Sequence, residues 1–173
     1  MNEKIVKKAI KGNKKAFEKL IKHYYKQIYR TAYLYVHNEE DALDIVQEAT
    51  CQAYISIHTL KQPEYFMTWL TKIIIRCSGQ LLSKRKNVVP LTEGVLETLT
   101  SSESIKEDSM HLLEEIRKLK ESYRIPLILF YYHDYSIKTI SDMLAIPEGT
   151  VKTNLRRAKE ALKKSMKGEV TYG

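Results

Sequence analysis

The sequence predicts an all-α protein built from two small helical domains that are joined by a flexible linker. Apolar residues recur every three or four positions along most of the 173 residues, and no segment alternates convincingly as a strand. Between 87 and 108 this periodicity weakens, and Pro, Gly and Ser become frequent. We therefore expect a first domain over 1–86, a linker over 87–108 and a second domain over 109–173.

The first domain contains a short leading helix and three main helical patterns. Apolar stripes with helical spacing run from Phe17 to Val36, from Ala42 to Ile57 and from Leu70 to Leu81. Each stripe predicts a helix face that packs into a shared core.

Polar side chains gather on the outer side of the second main helix. They are Asp41, Asp44, Gln47 and Glu48. Such an acidic patch suits a basic partner helix, although acids near a helix start are also ordinary solvent-exposed residues that complement the helix dipole. As general acids these carboxylates would need a facing His or a pocket, and the sequence indicates neither.

The third main helix combines a basic stripe with aromatic residues at its start. The stripe, at steps of four residues, is Lys72, Arg76, Gln80 and Lys84, and the aromatic residues that follow the helix-breaking Pro63 are Tyr65, Phe66 and Trp69. Aromatic rings beside a basic track can hold bases that have left the stack. The alternative is that Phe66 and Trp69 fill the core while only Tyr65 is exposed, and for Trp69 the core is favoured.

The second domain ends in a helix-turn-helix pattern. Ser136 can cap a short helix with apolar residues at Ile137, Ile140 and Leu144. Ala145-Ile146 then turns the chain, and Pro147 suits the first position of the next helix. Ala145 stands where many such turns carry Gly, so a left-handed backbone there would cost about 1 kcal/mol, and a reshaped turn is the alternative.

The second helix of this motif is strongly basic. Residues 147–167 contain seven Lys or Arg and two Glu, and the side chains predicted to face the DNA major groove are Lys152, Thr153, Asn154, Arg156 and Arg157. A solvated basic face on an ordinary helical hairpin is the alternative.

Composition agrees with a nucleic-acid partner. The net charge is +8 and the sequence pI is near 9.3, although acidic membranes attract the same charge. No run of about 18 apolar residues and no signal peptide is present, so we expect a cytoplasmic protein. Cys51 and Cys77 are isolated from each other and from His, which favours small buried apolar residues over a metal site or a disulfide.

Four segments in sequence order resemble the small extracytoplasmic-function (ECF) sigma factors of bacterial RNA polymerase. They are EDALDIVQEA, YFMTWLTKI, ESYRIPLIL and IPEGTVKTNLRRAKEAL. The resemblance covers essentially the whole chain, and several motifs in order are more specific than a lone helix-turn-helix. It implies two helical domains, sigma regions 2 and 4, with no separate region 3 domain.

The resemblance also implies partners for each surface. The acidic patch would bind the clamp helices of the largest polymerase subunit, the loop from His58 to Phe66 would capture an extruded base of the −10 element, and the basic stripe would read or track that element. The five groove-facing residues would meet the −35 element. An anti-sigma protein, often membrane-anchored, is a further implied partner in a stress or cell-envelope response, and no cofactor, metal or small-molecule substrate is implied.

Four positions depart from the family pattern. Arg76 and Gln80 replace the Asn and Asp that members often carry, and Ser141 replaces an Ala. Pro126 lies where members lack a proline, which predicts a shifted boundary with Pro126 opening a helix. Among other classes, a stand-alone helix-turn-helix regulator leaves the first domain unexplained, and a nucleic-acid enzyme lacks clustered acids or His for metal chemistry.

Overall fold

The computed structural model describes residues 3–86 and 107–166, which form eight α-helices, two short 3₁₀ helices and no strand. The α-helices are α1 (Glu3–Ile10), α2 (Lys14–Val36), α3 (Glu39–Ser56), α4 (Phe66–Lys86), α5 (Glu107–Lys118), α6 (Glu121–Tyr131), α7 (Ile137–Leu144) and α8 (Glu148–Met166). The 3₁₀ helices, Ile57–Thr59 and Pro63–Tyr65, lie between α3 and α4. The all-α prediction is confirmed.

The chain divides into two compact units between Leu91 and Thr92. Unit 1 contains α1 to α4, and unit 2 contains α5 to α8. Most of the predicted linker, and residues 167–173 of the predicted second domain, lie outside the described residues. At the end of that linker α5 already begins at Glu107, so helical structure starts two residues before the predicted second domain.

In unit 1 the helices α2, α3 and α4 each bury one face in a common apolar core, against which α1 also packs. Leu20, Ile28, Ile45, Leu70 and Ile74 are at most 1% exposed. Each such side chain stabilises the fold by about 1.5–3 kcal/mol through its burial. The three apolar stripes in the sequence therefore form one core, as predicted.

Two asparagines set where α2 and α3 begin. Asn13 Oδ1 accepts the Ala16 amide and Asn38 Oδ1 accepts the Asp41 amide, each at 2.9 Å. At the end of α2, His37 adopts a left-handed backbone with φ of 55° and donates its amide to the Tyr33 carbonyl at 2.7 Å. Only His37 and Asn38 therefore separate α2 from α3, which makes these helices close neighbours.

In unit 2, Pro126 lies inside α6, so the prediction that it opens a helix is wrong. The helix has already begun one turn earlier, because the amides of Tyr123 and Arg124 both donate to the Lys120 carbonyl at 2.9 Å. An interior proline costs a helix about 3 kcal/mol. Burial of all four residues of 126–129 offsets this cost.

The turn between α7 and α8 contains a strained alanine. Ser136 caps α7 as predicted, since its Oγ accepts the Thr139 amide at 3.1 Å. Ala145 is left-handed, with φ of 54° and ψ of 42°, so the turn is not reshaped to avoid the cost. Pro147 precedes α8 instead of occupying its first position, and its carbonyl accepts the Val151 amide at 3.1 Å.

Ser141 fastens this turn from two sides. Its hydroxyl donates to the Ile146 carbonyl at 2.5 Å, and its carbonyl accepts the Ile146 amide at 3.2 Å. An alanine at this position could make only the second bond. The departure at Ser141 therefore supplies a hydrogen bond that partly offsets the strain at Ala145.

Opposite stability changes are expected at the two ends of this turn. Ala145→Gly should raise the free energy of unfolding of unit 2 by roughly 0.5–1 kcal/mol, because glycine adopts positive φ without a Cβ clash. Ser141→Ala should lower it by about 1 kcal/mol through loss of the side-chain hydrogen bond. Urea unfolding followed by circular dichroism measures both changes. A destabilised Ala145→Gly variant would contradict the left-handed assignment.

Candidate protein and nucleic-acid interfaces

Helix α3 presents three of the four predicted patch residues to solvent. Asp44, Gln47 and Glu48 are exposed, whereas Asp41 is only 4% exposed. Asp41 lies one turn before the buried Ile45 and so shares its face, which corrects the prediction that all four residues lie on the outer side. We define the acidic patch as Asp44, Gln47 and Glu48.

The outer face of α3 continues beyond the acidic patch with apolar side chains. Leu43 and Ile55 are 43% and 66% exposed, and Cys51 is exposed between them. The prediction that both thiols are buried is wrong for Cys51 and confirmed for Cys77, where burial and then the charge of Glu48 raise the thiol pKa. The spacing of Asp44, Cys51 and Ile55 was the available signal for this face.

A chain of hydrogen bonds links the acidic patch to α4. Gln52 Nε2 donates to Glu48 Oε1 at 2.6 Å, and an Arg76 guanidinium nitrogen donates to Gln52 Oε1 at 2.6 Å. Sequence inspection did not identify Gln52, because its role depends on packing between residues 24 positions apart. A predicted polymerase contact and a predicted DNA contact thus share one network.

The basic stripe predicted on α4 lies on the surface. Lys72, Arg76, Gln80 and Lys84 are all exposed. The opposite face of α4 is anchored in the core by Leu70, Ile74 and other apolar residues. The helix therefore presents a continuous polar track about 18 Å long, long enough to follow several phosphates.

The aromatic residues at the start of α4 divide between surface and core. Tyr65 is 54% exposed, Trp69 is partly buried, and Phe66 is 2% exposed. The Phe66 ring packs against Tyr24 and Trp69, with ring centroids 5.8 and 6.1 Å apart. The core alternative is therefore correct for Phe66, and Tyr65 is the exposed ring of the three. A cleft of about 240 Å³ beside it is lined by Glu3, Val6, Tyr24, Pro63, Glu64, Phe66 and Met67.

Helix α8 is held by a buried face and exposes a basic one. Val151, Leu155 and Ala158 are buried, Lys152, Arg156 and Arg157 are exposed, and Thr153 and Asn154 are intermediate. Two of the side chains predicted to contact DNA already form contacts within the protein. Thr153 Oγ1 donates to the Gly149 carbonyl at 2.9 Å, and Arg156 forms an ion pair with Glu160 at 2.6 Å.

Two contacts that fix α8 were not identified from the sequence. Glu115 of α5, 4% exposed, accepts hydrogen bonds from the Ser165 hydroxyl and from Lys118 Nζ, the latter at 2.7 Å. Lys159 Nζ lies 5.3 Å from the centroid of the exposed Tyr131 ring. These contacts tie α8 to α5 and α6. A single Glu or Tyr within a helical pattern does not indicate such a contact from the sequence.

In the part of the chain that the structure describes, no helix is long and apolar enough to cross a membrane. Within the same residues no group of three or more His, Cys, Asp and Glu side chains could hold a metal ion.

Comparison with known proteins decides the family. The Sigma-70 region 2 model matches residues 20–88, and the Sigma-70, region 4 model matches residues 109–162. The ECF RNA polymerase sigma factor SigW of Bacillus subtilis is 32% identical over 182 residues, covering 96% of this chain and 97% of SigW. The chain belongs to the ECF RNA polymerase sigma factors. A second B. subtilis sigma factor, SigV, is 33% identical over 130 residues, covering 75% of this sigma factor and 78% of SigV.

Solved structures agree with the fold of this sigma factor. CnrH, solved in complex with the cytosolic domain of CnrY, superimposes with a TM-score of 0.71 at 17% identity, covering 97% of this chain and 98% of CnrH. The sigma factor RpoE, solved with the anti-sigma factor NepR from Bartonella quintana, has a TM-score of 0.67 at 17% identity, with 88% and 98% covered. At this identity the similarity establishes the fold.

A stability measurement can test whether Phe66 is a core residue and Tyr65 a surface residue in this sigma factor. Phe66→Ala should lower the free energy of unfolding of unit 1 by about 3–5 kcal/mol, because it leaves a cavity beside Tyr24 and Trp69. Tyr65→Ala should change it by less than about 0.5 kcal/mol, because the ring is exposed. Urea unfolding of the full chain compares the two variants. Equal small effects would place Phe66 outside the core.

Proposed function

We propose that this sigma factor is the promoter-specificity subunit of RNA polymerase, with unit 1 acting as region 2 and unit 2 as region 4. The observation that supports the proposal most directly is the order of surfaces along one chain. An acidic helix face on α3 precedes a basic track on α4, and a basic recognition helix follows in α8. A stand-alone regulator would need only the last of these.

Core polymerase binds the acidic patch in this proposal. Asp44 and Glu48 lie one turn apart on α3 and are exposed, so both can meet a row of basic side chains on a partner helix. The exposed Leu43 and Ile55 flank the acids and give the partner apolar area to cover. Asp41 has a structural role instead, in the first turn of α3, where its backbone amide donates to the Asn38 side chain.

The −10 element is melted and held by the loop before α4 and by α4 itself. Tyr65 stacks on an extruded base, and Lys72, Gln80 and Lys84 follow the backbone of that strand. Phe66 and Trp69 position Tyr65 from the core side. Extrusion of a base costs a few kcal/mol, which the stacking and phosphate contacts offset.

The −35 element is bound by the N-terminal half of α8. Lys152 and Arg157 are exposed and lie slightly more than one turn apart, so they can reach a base edge and a nearby phosphate together. Arg156 joins them once its ion pair with Glu160 opens. Exposed ion pairs of this kind contribute less than about 1 kcal/mol, so the opening is inexpensive.

The chemistry of the chain is binding, without catalysis of its own, and it takes place in the cytoplasm where polymerase and chromosome are. Regulation comes from an anti-sigma protein that covers the acidic patch and the recognition helix, in a stress or cell-envelope response. The support is that RpoE was solved with the anti-sigma factor NepR and shares this fold. A membrane-anchored inhibitor fits such a response.

A minimal transcription assay tests the central proposal. Purified chain added to core polymerase should direct initiation at a matching promoter, located by sequencing run-off transcripts from a pool of promoter fragments. Core polymerase alone is the control. If the chain binds promoter DNA but never alters initiation by core polymerase, the stand-alone regulator is the correct function.

Reversing the charge of the acidic patch should weaken polymerase binding. Asp44→Lys combined with Glu48→Lys should weaken the affinity for core polymerase by at least tenfold, since losing interfacial charge pairs costs about 2–5 kcal/mol. Glu18→Lys with Glu64→Lys is the control, because both are exposed acids of unit 1 and the net charge change is the same. Fluorescence titration of labelled chain with core measures the affinity, and equal affinities of the two variants would refute the assignment.

Truncating Arg157 should weaken −35 recognition selectively. Arg157→Ala should reduce initiation from a promoter with an intact −35 element by about 5- to 150-fold, corresponding to 1–3 kcal/mol. Lys163→Ala, an exposed cation further along α8, should have a much smaller effect. Run-off transcription on templates with intact and scrambled −35 elements measures the difference. Loss of activity on both templates alike would assign Arg157 to folding or polymerase binding instead.

A further inference from the structure

Helix α2 carries a row of cations that none of the surfaces described above includes. Lys15, Lys19, Lys22, Lys26 and Arg30 are all exposed, and we call them the α2 basic stripe. Their spacing of four, three, four and four residues places them on one face of the helix. At 1.5 Å per residue the stripe is about 22 Å long.

This stripe lies in the segment that gives the chain its charge. Residues 1–30 contain ten Lys or Arg and two Asp or Glu, whereas the remaining 143 residues contain nineteen of each. The whole formal net charge of +8 therefore resides in the first 30 residues. Such a concentration creates a local positive potential that attracts polyanions.

The fold does not account for the α2 basic stripe. Phe17, Leu20 and Ile28 bury the opposite face of α2, so the cations contribute nothing to the core. Within the described residues none of the five side chains forms an ion pair or hydrogen bond, and Glu18 is the one acid of α2. Like charges at i,i+4 destabilise a helix by roughly 0.2–0.5 kcal/mol per pair, so the stripe reduces stability.

We propose that the α2 basic stripe binds the phosphate backbone of duplex DNA, in addition to the promoter contacts of α4 and α8. A straight row of five exposed cations matches a polyanion that has one charge per 1.7 Å of axis. Of the tyrosines of α2 only Tyr25 is exposed, and it lies about 100° around the helix from Lys26, so the stripe offers no row of rings to stack on unpaired bases. The apolar face of α2 is buried in the core, so the helix cannot insert into a lipid surface.

Contacts of this kind position DNA without reading its sequence. Duplex DNA lying along the stripe would be bound regardless of the −10 and −35 assignments. The proposal therefore goes beyond the function proposed above, and a DNA duplex without promoter elements tests it separately.

The test is a salt titration of DNA binding by the full chain. Lys19→Gln, Lys22→Gln and Lys26→Gln are combined, and binding to a labelled 30-bp duplex without promoter elements is followed by fluorescence anisotropy. Each lost phosphate contact should reduce the slope of log K against log salt by about 0.9, so the slope should fall by about 2–3. At about 0.1 M salt the affinity should fall at least tenfold.

The matched control combines Lys7→Gln, Lys8→Gln and Lys11→Gln. These lysines are exposed and belong to the same charged segment, but they lie outside the stripe. Their substitution removes the same net charge as the stripe variant. The DNA affinity of this control variant should fall less than threefold. The stripe variant should keep the wild-type unfolding midpoint or exceed it, and the midpoint of the control should change little, because the Lys7–Glu3 ion pair that it loses is exposed.

Three results would overturn the proposal. Equal losses in both triple variants would show an effect of net charge alone, and unchanged DNA binding in the stripe variant would show a solvated face. Unchanged DNA binding with loss of binding to phosphatidylglycerol vesicles or to core polymerase would assign the stripe to a lipid surface or to a protein partner.

Discussion

The shared apolar core of unit 1 determines every surface that the unit presents. Each of α2, α3 and α4 must bury one face in that core, so its opposite face is fixed toward solvent. Those outer faces differ in charge: α2 carries a basic stripe, α3 the acidic patch and α4 a second basic track. Rotating any one helix would bury unpaired charge at a cost of several kcal/mol. The hydrophobic pattern therefore fixes how these differently charged faces are arranged around one bundle.

Unit 2 holds α8, the proposed recognition helix, in place at both of its ends. Before α8, Ser141 fastens the turn through Ala145, and near its C-terminus Ser165 donates to the buried Glu115 of α5. Burial of Val151 and Leu155 prevents rotation between these points. Groove-facing side chains are useful only on a helix whose orientation is fixed, because a base contact depends on direction as well as distance. The strain at Ala145 is thus part of how α8 orients Lys152 and Arg157 for the −35 contact that we propose.

The sequence was sufficient for the main helices, the Ser136 cap and the basic faces, because periodicity and capping are local properties. It was insufficient at Asp41, Phe66 and Pro126, where the outcome depends on the space that a neighbouring element leaves open. Asp41 lies near the boundary of the buried face of α3, where spacing alone does not decide which side a residue takes. Cys51 lies opposite that face, so its spacing from Asp44 and Ile55 was sufficient to place it on the surface. The space beside Tyr24 accepts the Phe66 ring, and the packing around α6 accommodates a proline inside the helix. Tertiary packing settles such positions.

The hydrogen-bonded chain from Glu48 through Gln52 to Arg76 means that two surfaces of unit 1 are not independent. Gln52 Oε1 can accept the hydrogen bond from Arg76 only while the side-chain amide of Gln52 is held in one orientation. Glu48 holds it there by accepting a hydrogen bond from Gln52 Nε2. A cation from a partner that binds Glu48 competes with Gln52 for the same carboxylate. Release of Gln52 would then weaken the hydrogen bond that holds the Arg76 guanidinium. Residues in one such network have non-additive effects, commonly by 0.5–3 kcal/mol. Because Asp44 lies outside the hydrogen bonds of this chain, a substitution there reports on the acidic patch alone, whereas one at Glu48 reports on the patch and on the basic track together.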